Sequence, residues 1–543
     1  MCFLKPLCLC VSAFLALSRP ASAADTVDID RAELLDRIYG GWLGQMIGNL
    51  QGLPHEFKYK DAPRAELPDY VCGLPKGGWT DDDTDIEWVH IDAIDKGAPL
   101  KIPYPQVRQL WLANMHAGIW VSNLNVRGLM QRGLIPPATS SPAFNRDSWY
   151  NLSGQFCVES YGLIAPGMPQ TAADIGLHYA RISVWAEPLQ ATQYWTSLIA
   201  MSYFHRGTLE ELLTKSLAAI DPNSAQAKAI QDAIAYFHQH PNDWKAARQL
   251  IHKKWLQGTD WNWNATPPNA ALVVLALLYG QDDIYKSLQY AFALGYDADC
   301  NAAIVGAVLG VRQGYKKLSQ TKTFVVEDIY LNNTRDAMPK KVKISEQAEQ
   351  LLRVAEKVIV GNGGEKIENN GKIVYRIKTQ APKMLEELPR AVRPKIGDPT
   401  IRAQILKDAI DGLKANEAEQ RLRSALVLVY YGESKTVETH RAAVIEIFRE
   451  NKELKDRSGR AATLGGMAIL GDADALTGLA QYVKDFKFNW VTIPDVIEIV
   501  RKLPPDQRAR VRDMVKAGQF EPLREPLAKL FAEWDKDKTK SKQ

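Results

Sequence analysis

The sequence predicts an all-α globule followed by a small β-hairpin linker and a second set of helices. Three observations carry this. Over residues 28–330 apolar side chains recur at helical spacing and strand-type alternation is scarce. Asn370-Gly371 stands between two short β-prone runs, a hairpin signal. From about residue 396 to 535 amphipathic helical patterns return. At 543 residues the chain exceeds one ordinary domain, and 46% hydrophobic with 24% charged residues describes a globular protein with ample core.

Lys5 precedes an apolar stretch from Pro6 to Leu17, and Ala21-Ser22-Ala23 follows as a small-x-small cleavage pattern. Residues 1–23 therefore read as a secretory signal peptide, and the expected location is periplasmic or secreted. No later segment reaches the roughly 20 uninterrupted apolar residues that span a bilayer. Beyond the leader only Cys72, Cys157 and Cys300 remain, so no disulfide framework is expected. A net charge of +4, without a basic stripe, makes nucleic acid a poor partner.

"DRAELLDRIYGGWLGQMIGNLQG" (30–52) has helical spacing and glycines at 40, 41, 44, 48 and 52, which suggest close approach of another backbone or of a ligand. "LEELLTKSLAAI" and "QAKAIQDAIAYFHQ" are amphipathic, and "AALVVLALLYG" (270–280), apolar on all sides, reads as a central buried helix. Residues 331–395, rich in Lys and Glu, read as a small β insertion or a linker with its hairpin. In 396–535, "RLRSALVLVYYGE" and "RSGRAATLGGMAILGD" are faintly alike, which allows a short HEAT-like array. That region carries no catalytic constellation and is expected to serve as an interaction element for a protein partner. Residues 536–543 read as a solvated charged tail.

Two acidic motifs stand out. "GGWTDDDTDIEW" (77–88) packs Thr80, Asp81, Asp82, Asp83 and Thr84 before a helical pattern, and "GYDADCNAAIVGAVLG" (295–310) sets Asp297 and Asp299 before an apolar helix. Capping explains one carboxylate at a helix entrance, not three in a row. Hard cations take such oxygens. Asp81, Asp83, Asp85 and Asp92 mimic an EF-hand loop, but Ile86 stands where its sharp turn needs Gly.

With "DRIYGGWLGQMIGNLQGLPHEF" (36–57), the two motifs resemble the ADP-ribosylglycohydrolase family over residues 30–315, in the family's order. The resemblance implies a compact all-α domain with Mg²⁺ (two ions, Mn²⁺ being possible) between the motifs. Implied metal ligands are Asp82, Asp83, Asp297 and Asp299. Asp81 or Thr80 takes the place of the family's first Ser/Thr, and Cys300 that of a Thr. A thiol is a poor Mg²⁺ ligand, and no nearby His activates Cys300 as a nucleophile. Glu56 matches an acidic residue beside the metals, so Glu56, Asp82 and Asp299 are the implied catalytic residues. The implied activity is hydrolysis of an N- or O-glycosidic bond to ADP-ribose or a related sugar, the substrate being a small molecule, a glycan or an ADP-ribosylated protein. The competing reading is a catalytically silent binding module on the same fold. Trp79, Trp120, Trp261 and Trp263 are candidates to stack on a sugar or base.

Overall fold

The computed structural model describes residues 26–79, 81–389, 398–451, 457–485 and 491–540. The expected leader, 1–23, lies outside them. Among the described residues, 22 α-helices are joined by short strands and loops, as the all-α reading requires.

The elements that build and brace the site run in chain order as β1 (Thr26–Asp30), α1 (Arg31–Gly52), β2 (Gly78–Trp79), α2 (Asp82–Asp95), α3 (Val121–Gln131), α4 (Glu159–Leu163), α5 (Thr266–Gly280) and α6 (Ala298–Leu318). They continue with β3 (Tyr330–Leu331), β4 (Lys341–Val342), α7 (Ile344–Gly361), β5 (Glu365–Asn369), β6 (Lys372–Lys378), α8 (Ala418–Tyr431) and α9 (Ile493–Lys502). Every residue of α5 is buried, which accords with its unbroken apolar run.

The axis of the first globule is the pairing of α1 with α6. Gly40, Gly44 and Gly48 of α1 face Gly310, Gly306 and Ala302 of α6 at four-residue intervals. A Cβ on Gly44 would fall 2.2 Å from the Gly306 carbonyl oxygen, and one on Gly306 would fall 1.9 Å from that of Gly44. Of the two causes the glycines suggested, it is a helix backbone that approaches, not a ligand. The ladder ends at the site: Gly52 lies against the Asp299 backbone, with only 2.5 Å between a Cβ there and the Asp299 Cα.

Residues 331–389 are not a free tether, contrary to the linker expectation. α7 packs on α1 and α2. The β5–β6 hairpin turns at Asn370 (φ 50°) and Gly371 (φ 74°), the two left-handed residues that a tight hairpin needs. β6 then pairs antiparallel with β1, Ile29 opposite Tyr375, so the hairpin completes a three-stranded sheet on the globule. Tyr375 and Ile377 are fully buried there. The segment folds back because half of its side chains alternate inward, a period that its charged composition obscures.

From Pro399 onward, helices pack chiefly on those next in sequence and enclose a second core, including Leu426, Phe448, Leu476 and Val500. Leu129 of α3 and Leu134 belong to that core too. The last helix, Arg524–Lys540, runs into the stretch expected as a tail.

Candidate metal centre

Two helix starts and one helix end converge. α6 begins at its N-cap Asp297. α2 begins at its N-cap Asp81, whose side chain accepts from the Asp83 N–H at 3.3 Å. The end of α1 passes through a single 3₁₀ turn, Leu53–His55, to Glu56. Both N-termini turn the positive end of a helix dipole toward the carboxylates.

Ligating atoms of three groups each lie within 4.8 Å of one another: Asp81, Asp82 and Asp83; Asp83, Asp299 and Cys300; and Glu56, Asp297 and Asp299. Shared members link these groups into one continuous centre. Asp82, Asp83, Asp297 and Asp299 are all buried. Thr80, the other candidate for the first position, lies outside the described residues. Asn49 of α1 donates to Asp83 at 2.8 Å and to Asp81 at 3.2 Å. Asn264 donates to Asp297 at 2.8 Å and is itself held by Asn151 at 2.7 Å. The Cys300 thiol donates to Asp83 at 3.5 Å.

Burial, and then repulsion from Asp81 for the first two and from Asp297 for the third, holds the carboxyls of Asp82, Asp83 and Asp299 well above the usual carboxylate range. Burial also raises Asp297. Glu56 is pushed up to about 8, by burial first and then by Asp297 and Asp81. Such a cluster must either take up protons or hold cations. Oδ1 of Asp83, Asp297 and Asp299 are buried and find no donor within the described residues. Orphaned carboxylate oxygens gathered in this way suit a hard divalent cation. Burial also pushes the Cys300 thiol well up, so it stays a thiol rather than a nucleophilic thiolate.

A cavity of about 300 Å³ opens over the centre, lined by Glu56, Asp81, Asp82, Asp297, Asp299 and Cys300 on its floor. Its walls include Phe57, Trp120, Val121, Phe156 and Trp263. Phe57 (φ 56°) and Val121 (φ 43°) adopt left-handed backbone conformations that side-chain-bearing residues seldom accept, a form of strain that gathers at functional sites. Of the four singled-out tryptophans, Trp120 and Trp263 line the cavity, whereas Trp261 packs against Trp149, 5.4 Å between centroids, and Trp79 is an exposed residue of β2.

Asp85 does not join the centre. It is fully buried against Arg335 (3.5 Å), accepts from Thr334 at 3.1 Å and accepts from the Tyr330 hydroxyl. Asp92 accepts from Gln350 on α7 and from Lys96. With both turned away, no EF-hand geometry forms. Arg335 also donates to the carbonyls of Ala117 and Gly118, so the segment after α6 fastens α2 to the loop that leads into α3.

Several supporting residues escaped the sequence reading. Gln45 and Asn49, one turn apart on a buried helix, are a legible signal: polar side chains there need partners. Their partners are Glu87 (3.0 Å) and Asp83. The Asn151–Asn264 brace left no such trace, because loop amides are common.

A family model described as ADP-ribosylglycohydrolase matches residues 30–360. The chain belongs to the ADP-ribosylglycohydrolase family. Members of this family are typically hydrolases, and the buried acidic centre accords with a family that depends on metal. The matched span includes α7, which places part of the expected linker inside the family domain. Among solved structures, one titled "ADP-ribosylglycohydrolase-related protein complex" is similar at 16% identity and a TM-score of 0.39, covering 60% of this chain and 99% of that one. No curated protein matches.

Proposed function

We propose that this family member is a metal-dependent glycoside hydrolase that cleaves the N- or O-glycosidic bond at C1 of ribose or a related sugar. One observation carries the reading: Asp81 and Asp82 meet Glu56, Asp297 and Asp299 at the floor of one cavity, and Asp83 links the two sets of carboxyls. Asp82, Asp83, Asp297 and Asp299, with Asp81 or Thr80, would hold one or two Mg²⁺ ions, Mn²⁺ being the substitute. When bound, such ions grip vicinal hydroxyls and lower the pKa of a coordinated water toward about 7. Glu56, on the cavity floor, exchanges a proton with the attacking water or with the leaving atom. Asn264 and Asn49 hold Asp297 and Asp83 in place, and the aromatic walls keep bulk water out.

ADP-ribosyl groups are the family-typical substrate. Lys5, the apolar run and Ala21-Ser22-Ala23 support export, and the helices after residue 398 offer a surface for a protein partner.

The test is release of free sugar or ADP-ribose from a panel of glycosides. EDTA is expected to abolish turnover, Asp299→Ala to lower kcat/KM by at least 10²-fold, and Glu56→Gln to lower kcat by roughly 10²–10⁴-fold. Mg²⁺ binding without turnover on any member of the panel would sink the hydrolase and leave a silent binding module.

A further inference from the structure

Arg248, on the helix Trp244–Trp255, is fully buried and lies outside the acidic centre. Taking a guanidinium out of water is costly unless its N–H groups find acceptors. Main-chain oxygens meet this one. Nε donates to the Leu294 carbonyl at 2.9 Å, and Nη2 donates to those of Tyr59 and Lys60 at 3.0 and 2.8 Å. The guanidinium carbon lies over the Tyr296 ring, 4.1 Å from its centre. The hydroxyl of that ring is hydrogen-bonded at 3.1 Å to His252, one turn further along the same helix.

These carbonyls belong to the two segments that carry the candidate chemistry. Glu56 stands three residues before Tyr59, and Asp297 three residues after Leu294. The segments also bond to each other: the Phe57 N–H donates to the Tyr296 carbonyl at 2.9 Å, and the Tyr296 N–H to the Tyr59 carbonyl at 3.4 Å. Gly295 (φ 88°) permits the approach, since a Cβ there would fall 2.3 Å from the Tyr59 carbonyl oxygen. Phe57 (φ 56°) and Tyr296 (φ 58°) are both left-handed, a conformation that a residue with a side chain keeps only where its surroundings over-determine it. Residues 56–60 and 295–297 lie in no helix or strand, so regular structure does not hold them together. Resting on the hydrolase reading, we infer that Arg248 is a positioning residue of the reaction: its guanidinium clamps the 56–60 segment onto the entrance of α6 and so aims Glu56 at the scissile bond. A planar fork reaches both segments at once, whereas a lysine ammonium is a point donor on a flexible stem.

Arg248→Lys, in the full chain without its leader, keeps the charge and loses the fork. On the panel glycoside that the native chain cleaves, kcat is expected to fall about 10²-fold, the size of a misplacement of roughly 1 Å, while KM and Mg²⁺ affinity change less than about threefold. Arg248→Ala should lose as much, and added methylguanidinium should restore about tenfold of it, which no merely structural loss would show. Gly295→Ala, which forces the same segments apart from the other side, is expected to give the same split between kcat and KM. Arg312→Ala is the comparison: this arginine of α6 donates to Asp282 and to the carbonyls of His205 and Gly207, and its loss should lower the melting temperature and leave kcat unchanged. Unchanged kcat in folded Arg248→Lys or Gly295→Ala overturns the inference. So does a fall in Mg²⁺ affinity as large as that in kcat, or an equal kcat loss in Arg312→Ala. If the native chain cleaves nothing on the panel, the hydrolase reading falls, and hydrogen exchange judges the clamp alone. Faster exchange at the Phe57 and Tyr296 amides of Arg248→Lys then upholds the clamp, and unchanged exchange overturns it.

Discussion

At Cys300 the chain places a sulfur inside the acidic centre, buried and with its Sγ within 4.8 Å of carboxylate oxygens of Asp83 and Asp299. A hydroxyl would give a hard cation one more oxygen. Cys300→Thr is therefore expected to tighten Mg²⁺ binding by roughly tenfold, read by calorimetry, a size typical of single changes at metal sites. His90 gives a prediction of a different kind. Indole N–H only donates, so the Trp111 contact to Nε2 at 3.2 Å makes that nitrogen an acceptor. Nδ1 then carries the proton and donates to the Tyr161 hydroxyl at 2.9 Å. The ring is neutral, and burial holds its pKa down at about 3. Below about pH 6.5 the unfolded chain takes up a proton that the folded chain refuses, so stability falls with pH at up to about 1.4 kcal/mol per unit until about pH 3. Between pH 7 and 5, denaturant unfolding of the native protein should lose about 2 kcal/mol more than that of His90→Gln; equal losses would show that the ring is not held neutral.

Helices α1 and α6 meet backbone to backbone, and this close contact sets the distance between Glu56 and Asp299. Gly44→Ala puts a methyl 2.2 Å from a carbonyl oxygen that belongs to a rigid helix and cannot move aside. The helices must part, at a cost of about 3 kcal/mol or more. Thermal unfolding should report that loss, and Mg²⁺ affinity should fall with it, because Asp299 rides on the displaced helix. Gly361→Ala, at the end of α7 with nothing within 4 Å of the added methyl, is the control expected to leave both unchanged. Much of this was legible: the four-residue spacing of glycines announced a close approach. The identity of the approaching chain was not, since it lies some 260 residues away and only the folded packing brings it there.

On the scale of the whole molecule, α3 joins the two cores. Its first residue and the preceding Trp120 line the cavity, while Leu129 lies in the second core. Arg127 of α3 is buried against Asp495 of α9, Gly128 faces the same carboxylate, and Arg132 donates to the Tyr431 hydroxyl of α8 at 2.9 Å. Asp495→Ala removes the carboxylate from a buried guanidinium and should cost about 3–5 kcal/mol. Hydrogen exchange is then expected to quicken at residues 117–125 as well as in the second core; a change confined to the second core would show that α3 does not transmit the clamp.

Helical periodicity, the hairpin at Asn370-Gly371 and the three motifs were readable because each is local: spacing along the chain sets which side chains share a face. Asp81, Asp82 and Asp83 were likewise marked by crowding that capping does not explain, and Asp297 and Asp299 by the motif they share with the family. Convergence was another matter. Asp82 joined the centre while Asp85, three residues on and a neighbour on the helix surface, turned to Arg335, because distant segments decide what each side chain meets. The same holds for the hairpin, whose strand β6 finds its partner β1 far back along the chain, at Thr26–Asp30. Local sequence determined which residues carried charge and which segments became helices. Only the tertiary fold, through contacts between segments hundreds of residues apart, decided which carboxyls share a cavity and what lines its wall.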